Sequence, residues 1–134
     1  MRKYIYIGIG GFLGAISRHL IQSIPVSGIP LNTLMINLSG SLLIAILLTF
    51  SLEIREFDSD VKLGITTGFL GAYTTFSTLC KETVGLFQNG NYFSAIFYMT
   101  ISALLGLLMA YFGIVIARKI GYKLKSEFFD EDEE

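Results

Sequence analysis

Residues 64–78 read Gly-Ile-Thr-Thr-Gly-Phe-Leu-Gly-Ala-Tyr-Thr-Thr-Phe-Ser-Thr, and the fold turns on this stretch. It lies inside an apolar run, about residues 61–87, that exceeds the roughly 20 helical residues needed to cross a bilayer. Gly64, Gly68 and Gly71 lower helix stability, and Thr74, Thr75, Ser77 and Thr78 bring hydroxyls that bond nearby backbone. Bare backbone at mid-membrane survives only where it is buried in protein, lines water or holds an ion. Two readings follow. Either the helix breaks around Gly71–Thr75 for a functional reason, or it is continuous and its small residues pack closely on a neighbour.

Working outward, three more apolar stretches can span a membrane, at about residues 4–24, 31–52 and 92–117. With 52% hydrophobic and 16% charged residues among 134, and a mean hydropathy of +0.61, the chain has too little polar surface for a soluble domain. The expected architecture is an all-α membrane protein of four transmembrane helices, the third broken near its middle. Residues 1–125 form that domain, and residues 126–134 form an acidic disordered tail. Arg2 and Lys3 before the first apolar run resemble a signal peptide. That run carries Arg18 and His19, however, and lacks a small-x-small site before Pro25, so it reads as a retained span. Short connections at 25–30 and 88–91 read as turns, and Asp58 and Asp60 are N-cap candidates for the third helix.

The charges are placed unevenly. Arg2, Lys3, Arg55, Lys62, Arg118, Lys119, Lys123 and Lys125 fall on one side of such a bundle, and the two opposite loops hold no Lys or Arg. Basic residues stay cytoplasmic, so both termini are expected to face the cytoplasm of a multi-pass cell-membrane protein. No enzyme is expected. His19 and Cys80 are single, and no Walker, HExxH or Cys/His metal spacing occurs. Gly8-x-Gly10-Gly11-x-x-Gly14 echoes a dinucleotide loop but sits inside a span. Gly-Phe-Leu-Gly-Ala occurs at 11–15 and again at 68–72, either as a parallel repeat or as two helices that both need small faces.

Polar groups inside the spans are costly unless they find partners or water. Arg18 either snorkels to the headgroups or attracts an anion at a pore mouth. Asn37 either joins helices or donates to an anion. Lys81 and Glu82 either neutralise each other or reach separate partners. Tyr98 and Ser102 share a helix face at i, i+4. Phe76 adds an electropositive ring edge, or simply packs. Amide, hydroxyl and guanidinium donors without fixed negative charge suit an anion.

In order along the chain, four motifs resemble the Fluc/CrcB family of fluoride channels. They are Gly10-Gly11-x-x-Gly14-Ala15-x-x-Arg18, Asn37-x-x-Gly40-Ser41, Gly68-Phe-x-Gly71-x-x-Thr74-Thr75-Phe76-Ser77-Thr78 followed by Glu82, and Tyr98-x-x-x-Ser102. The resemblance implies an antiparallel, dual-topology-type dimer that passes fluoride passively out of the cytoplasm. It implies an ion path along Asn37, Phe76, Ser77, Thr78, Tyr98 and Ser102, with Arg18 at a vestibule. It further implies a structural Na⁺ at the dimer interface, on the main-chain carbonyls of Gly71 and Thr74. Leu79 departs from the family pattern, which has a second Phe there. The charge bias departs too, because an antiparallel homodimer needs a chain that inserts both ways. A heterodimer with an oppositely oriented paralogue accounts for both departures. The alternatives are a non-conducting partner subunit and a small multidrug-type exporter, though the latter wants a carboxylate in the first span that this sequence lacks.

Overall fold

The computed structural model describes residues 1–26, 30–53 and 58–131, and every element among them is helical. Helix α1 is Arg2–Gln22, α2 is Leu31–Glu53 and α6 is Tyr92–Glu131. Between α2 and α6 lies a broken run: α3 (Ser59–Leu63), a π-helical stretch Gly64–Leu70, α4 (Gly71–Tyr73) and α5 (Phe76–Gln88). Three segments, Arg2–Gln22, Leu31–Leu52 and Tyr92–Tyr122, are single helices long and apolar enough to cross a membrane. Their outward faces are apolar along the whole length, with Phe12, Leu20, Met35, Phe93, Leu107 and Tyr111 all well exposed. Soluble monomers rarely leave patches of that extent uncovered. This is an all-α membrane protein.

The expected break near the middle of the third run lies at Thr74–Thr75, and the run comprises four helical pieces, one of them π. One expectation needs adjusting. The last helix does not stop near residue 117, and its backbone stays helical to Glu131, across most of the tail expected to be disordered. After Ala117 no proline intervenes, and Arg, Lys and Glu are good helix formers. Residues 132–134 of that tail, and Arg55 in the middle loop, lie outside the described residues.

Glycine positions the broken run. Its π segment packs on α1, and α2 packs along α6. A Cβ on Gly10 would run into the Gly64 carbonyl, and one on Gly14 into the Phe69 carbonyl. From the other side, a Cβ on Gly68 would lie 2.6 Å from the Ile7 carbonyl and 3.1 Å from the Gly11 nitrogen. The duplicated Gly-Phe-Leu-Gly-Ala strings therefore face each other, and the missing side chains let the two backbones touch. On α6, Gly113 serves the same purpose, since a Cβ there would come within 2.7 Å of the Leu42 carbonyl. The small core at the centre, Ile36, Leu70 and Tyr73, joins α2 to the run, with Phe69 stacked on Tyr73 at 5.7 Å.

At the start of the run Asp58 is the N-cap, accepting from the Asp60 N–H at 2.8 Å. Arg2 donates to the same carboxylate at 3.0 Å, tying the beginning of α1 to the beginning of α3. The Asp60 amide, and then the Val61 amide and Arg2, hold the Asp58 carboxyl below the usual aspartate range.

Backbone atoms cannot move aside as flexible side chains can, so Gly14→Val should destabilise the protein by at least about 1–3 kcal/mol. Gly85 has open space where its Cβ would be, so Gly85→Ala should leave stability unchanged or raise it. Thermal unfolding of the two variants in detergent checks the contrast, and equal behaviour would contradict the glycine contact described above.

Candidate functional site: a clamped break in the third run

Two extended residues interrupt the run. Thr74 has φ −74° and ψ 156°, and Thr75 has φ −149° and ψ 118°, so the helix stops after Tyr73 and restarts at Phe76. Breaking a helix inside an apolar bundle strands donors and acceptors that must be satisfied. Asn37 on α2 does most of this. Its Oδ1 accepts from the Thr75 N–H at 2.9 Å, and its Nδ2 donates to the Thr75 carbonyl at 2.9 Å. The Thr75 side chain then caps α5, its Oγ1 accepting from the Thr78 N–H at 3.1 Å. Hydroxyl contacts extend the cap, from Thr75 Oγ1 to Thr78 Oγ1 at 2.9 Å and to Ser77 Oγ at 3.3 Å.

These diversions have a consequence for two carbonyls. In an unbroken helix the Thr75 N–H would bond the Gly71 carbonyl, and the Thr78 N–H would bond the Thr74 carbonyl. Asn37 Oδ1 takes the first amide and Thr75 Oγ1 takes the second. Among the described residues no other N–H or O–H replaces them. Both carbonyl oxygens are thereby released, and they belong to the two residues expected to hold a cation. A recess of about 310 Å³ opens beside them, bordered by Asn37, Ser41, Gly71, Thr74, Thr75 and Phe76. Phe76 stands at its edge, 74% exposed. Gly40 keeps the opposite wall low, because a Cβ there would strike the Thr74 methyl.

A second polar group lies nearer the 25–30 connection. Glu82 on α5 accepts from the Thr33 hydroxyl at 2.7 Å and from the Tyr98 hydroxyl at 2.8 Å, one bond to each carboxylate oxygen. Tyr98 is fully buried, and Ser102 donates to the Tyr98 carbonyl at 2.6 Å. Thr33 and Glu82 border a wider recess of about 560 Å³, together with Thr78, Lys81, Gln22 and Asn32. Thr78 thus faces this recess while its hydroxyl meets Thr75 at the break.

The structure gathers Asn37, Ser77 and Thr78 around Thr75, with Gly71, Thr74 and Phe76 beside them. Tyr98 and Ser102 belong to the Glu82 group instead. Arg18 is half-buried on α1, has no hydrogen-bond or ion-pair partner among the described residues, and does not border the wider recess, where Gln22 stands one turn further on. Lys81 and Glu82 form no ion pair, since Glu82 turns to two hydroxyls. Thr33 is a site residue that sequence reading missed. The signal was there: Thr33, Asn37 and Ser41 recur every four residues and so share one face of the helix.

Removing the clamp strands the Thr75 N–H and carbonyl. Asn37→Ala should cost about 2–6 kcal/mol, from roughly 1–3 kcal/mol for each of the two unsatisfied buried groups. Amide exchange at Thr75 should accelerate well before global unfolding. A Thr75 amide that stays protected in Asn37→Ala would show that the break does not need the clamp.

The family model described as "CrcB-like protein, Camphor Resistance (CrcB)" matches residues 5–114. A Methanocaldococcus jannaschii protein named fluoride-specific ion channel FluC is 45% identical over 122 residues, covering 90% of this chain and 98% of that protein. A Bacillus anthracis relative named fluoride-specific ion channel FluC 1 is 43% identical over 122 residues, covering 87% and 89%. A Moorella thermoacetica relative of the same name is 40% identical over 119 residues, covering 86% and 85%. These relatives are named as channels, and the family is not one of enzymes. With the match running from α1 through most of α6, the chain belongs to the CrcB-like family.

Proposed function

We propose that this chain is a subunit of a fluoride-selective channel through which fluoride leaves the cytoplasm passively, with the broken run as a fourth crossing. The observation that carries the reading is the clamped break, where Asn37 holds Thr75 extended beside an open recess with Phe76 exposed at its rim. A small, strongly hydrated anion gives up water only to closely spaced donors. Asn37, Ser77 and Thr78 supply donors, Phe76 supplies a ring edge, and Tyr98 and Ser102 continue the path with hydroxyls that can rotate. Arg18, set back from the recess, would act by attraction at a distance.

A recess open on one side, with a bare Phe beside it, calls for a second subunit to close it, packed antiparallel. The Gly71 and Thr74 carbonyls fit a structural Na⁺ at that junction, because the break frees both oxygens of amide donors and hard cations prefer oxygen ligands. Bound there, Na⁺ would supply a fixed positive charge in the membrane near the anion path. Positive residues at the termini and the middle loop favour insertion with both ends in the cytoplasm of the cell membrane. That fixed orientation favours an oppositely inserted paralogue over a homodimer. Leu79, almost buried within its own subunit, fits a chain that leaves one ring position to its partner. The relatives' names, fluoride-specific ion channels, favour a channel over a multidrug-type exporter.

Liposomes containing the purified chain, with and without its co-purified partner, should release fluoride and retain chloride. If neither preparation releases fluoride, the channel reading fails. If the chain alone gives full flux as a homodimer, the paired-subunit reading fails while the channel reading stands. Replacing Na⁺ by a large organic cation during purification and assay should lower fluoride flux at least about tenfold, as expected when a charge-stabilising ion is withdrawn from a low-dielectric site. Undiminished flux without Na⁺ would remove the cation from the description.

A further inference from the structure

We infer that Lys81 captures the permeating anion in the wider recess, making that recess a loading site rather than a passive opening. The inference rests on the channel reading above and adds a residue and a role to it. The recess of about 560 Å³ is bordered by two ionisable side chains, Lys81 and Glu82, with Thr33, Thr78, Gln22 and Asn32. The two charges are used differently. Glu82 has each carboxylate oxygen engaged, by the Thr33 hydroxyl at 2.7 Å and the Tyr98 hydroxyl at 2.8 Å. Lys81 is exposed and makes no hydrogen bond or ion pair among the described residues, although its sequence neighbour is a carboxylate.

An ammonium carries three donors and no acceptor, so its unmet capacity can be filled only by an acceptor such as water or an anion. Glu82 keeps its charge, but each of its oxygens already accepts from a hydroxyl, of Thr33 on α2 and of Tyr98 on α6, and neither bonds Lys81. What the recess offers an incoming ion is therefore an ammonium without a partner among the described residues, with the Gln22 carboxamide also on its border, while the Asn32 amide already donates to the Ile24 carbonyl at 2.6 Å. The position also leads inward. Thr78 borders the recess, and its hydroxyl lies 2.9 Å from that of Thr75, which Asn37 holds at the break. An anion drawn into this recess thus shares its border with Thr78, whose hydroxyl reaches the break. A charge at a concave mouth raises the local concentration of the opposite ion and falls in effect as salt screens it.

Fluoride flux should be measured in liposomes for wild type, Lys81→Gln, Lys81→Glu and Lys81→Arg, at low and high ionic strength. At subsaturating fluoride and low salt, Lys81→Gln should lower flux about fivefold, the effect of one unit charge at close range in water. Lys81→Glu should lower it further, and Lys81→Arg should keep it near wild type. The gap should narrow at high salt and at saturating fluoride. As a readout independent of conduction, the Nζ resonance of Lys81 in ¹⁵N-lysine-labelled protein should shift on titration with sodium fluoride. Wild-type flux in Lys81→Gln at low salt, or an unmoved Nζ resonance, would overturn the inference. If wild type itself passes no fluoride, the channel reading fails, and the Nζ titration still decides whether Lys81 takes the anion.

Discussion

The two-pronged grip of the Asn37 carboxamide on the Thr75 peptide is the constraint on which the rest of the site depends. One side chain satisfies both the donor and the acceptor of a residue pulled out of helical geometry. In an apolar bundle this is the difference between a tolerable break and a prohibitively costly one, because unmet peptide groups find no water there. The same grip redirects an amide that would otherwise close the Gly71 carbonyl, and the Thr75 hydroxyl does likewise for Thr74. Satisfying one pair of groups thus releases another pair. The release is local, oriented and bought with no charged residue.

The break can persist because the segment before it is held firmly. Close backbone contact between α1 and the π segment, made possible by Gly10, Gly14, Gly64 and Gly68, leaves that half of the run no freedom to slide. Beyond the break, Glu82 fastens α5 to α2 through Thr33 and to α6 through Tyr98. The extended pair is therefore suspended between two anchored helical pieces. Polar groups divide into those that hold this frame and those that stay available at its openings.

Much of this was legible in the sequence, and the failures have physical causes. The glycine and threonine pattern posed two alternatives, a broken helix or a continuous one whose small residues pack closely; the helix breaks, and the segment before the break packs closely all the same. Gly64 and Gly68 pack on α1, whereas Thr74 and Thr75 leave the helix. Spacing could not separate them because each depends on what stands opposite. The helical extent of the last segment was missed because hydropathy marks where apolar character ends, not where hydrogen bonding does. The Glu82 partners were hidden for a different reason. A carboxylate next to a lysine suggests an ion pair, but adjacent residues on a helix do not face each other, and hydroxyls from two other helices were better placed. Proximity of Asn37 to Thr75, 38 positions apart, is information that only the folded chain carries.

The π segment has a mechanical meaning of its own. Turns closed by i→i+5 bonds are wider, so each residue advances less around the axis than in an α-helix. Over Gly64–Leu70 this keeps Gly64 and Gly68 nearly above one another against α1, then hands the chain to α4 with its phase altered. The segment works like a gear with an extra tooth, converting a face cut to fit one helix into a face cut to fit another. Shortening it by a single residue would leave the composition almost untouched and yet aim Thr75 away from Asn37, so the chain's length here is as much a specification as its lettering.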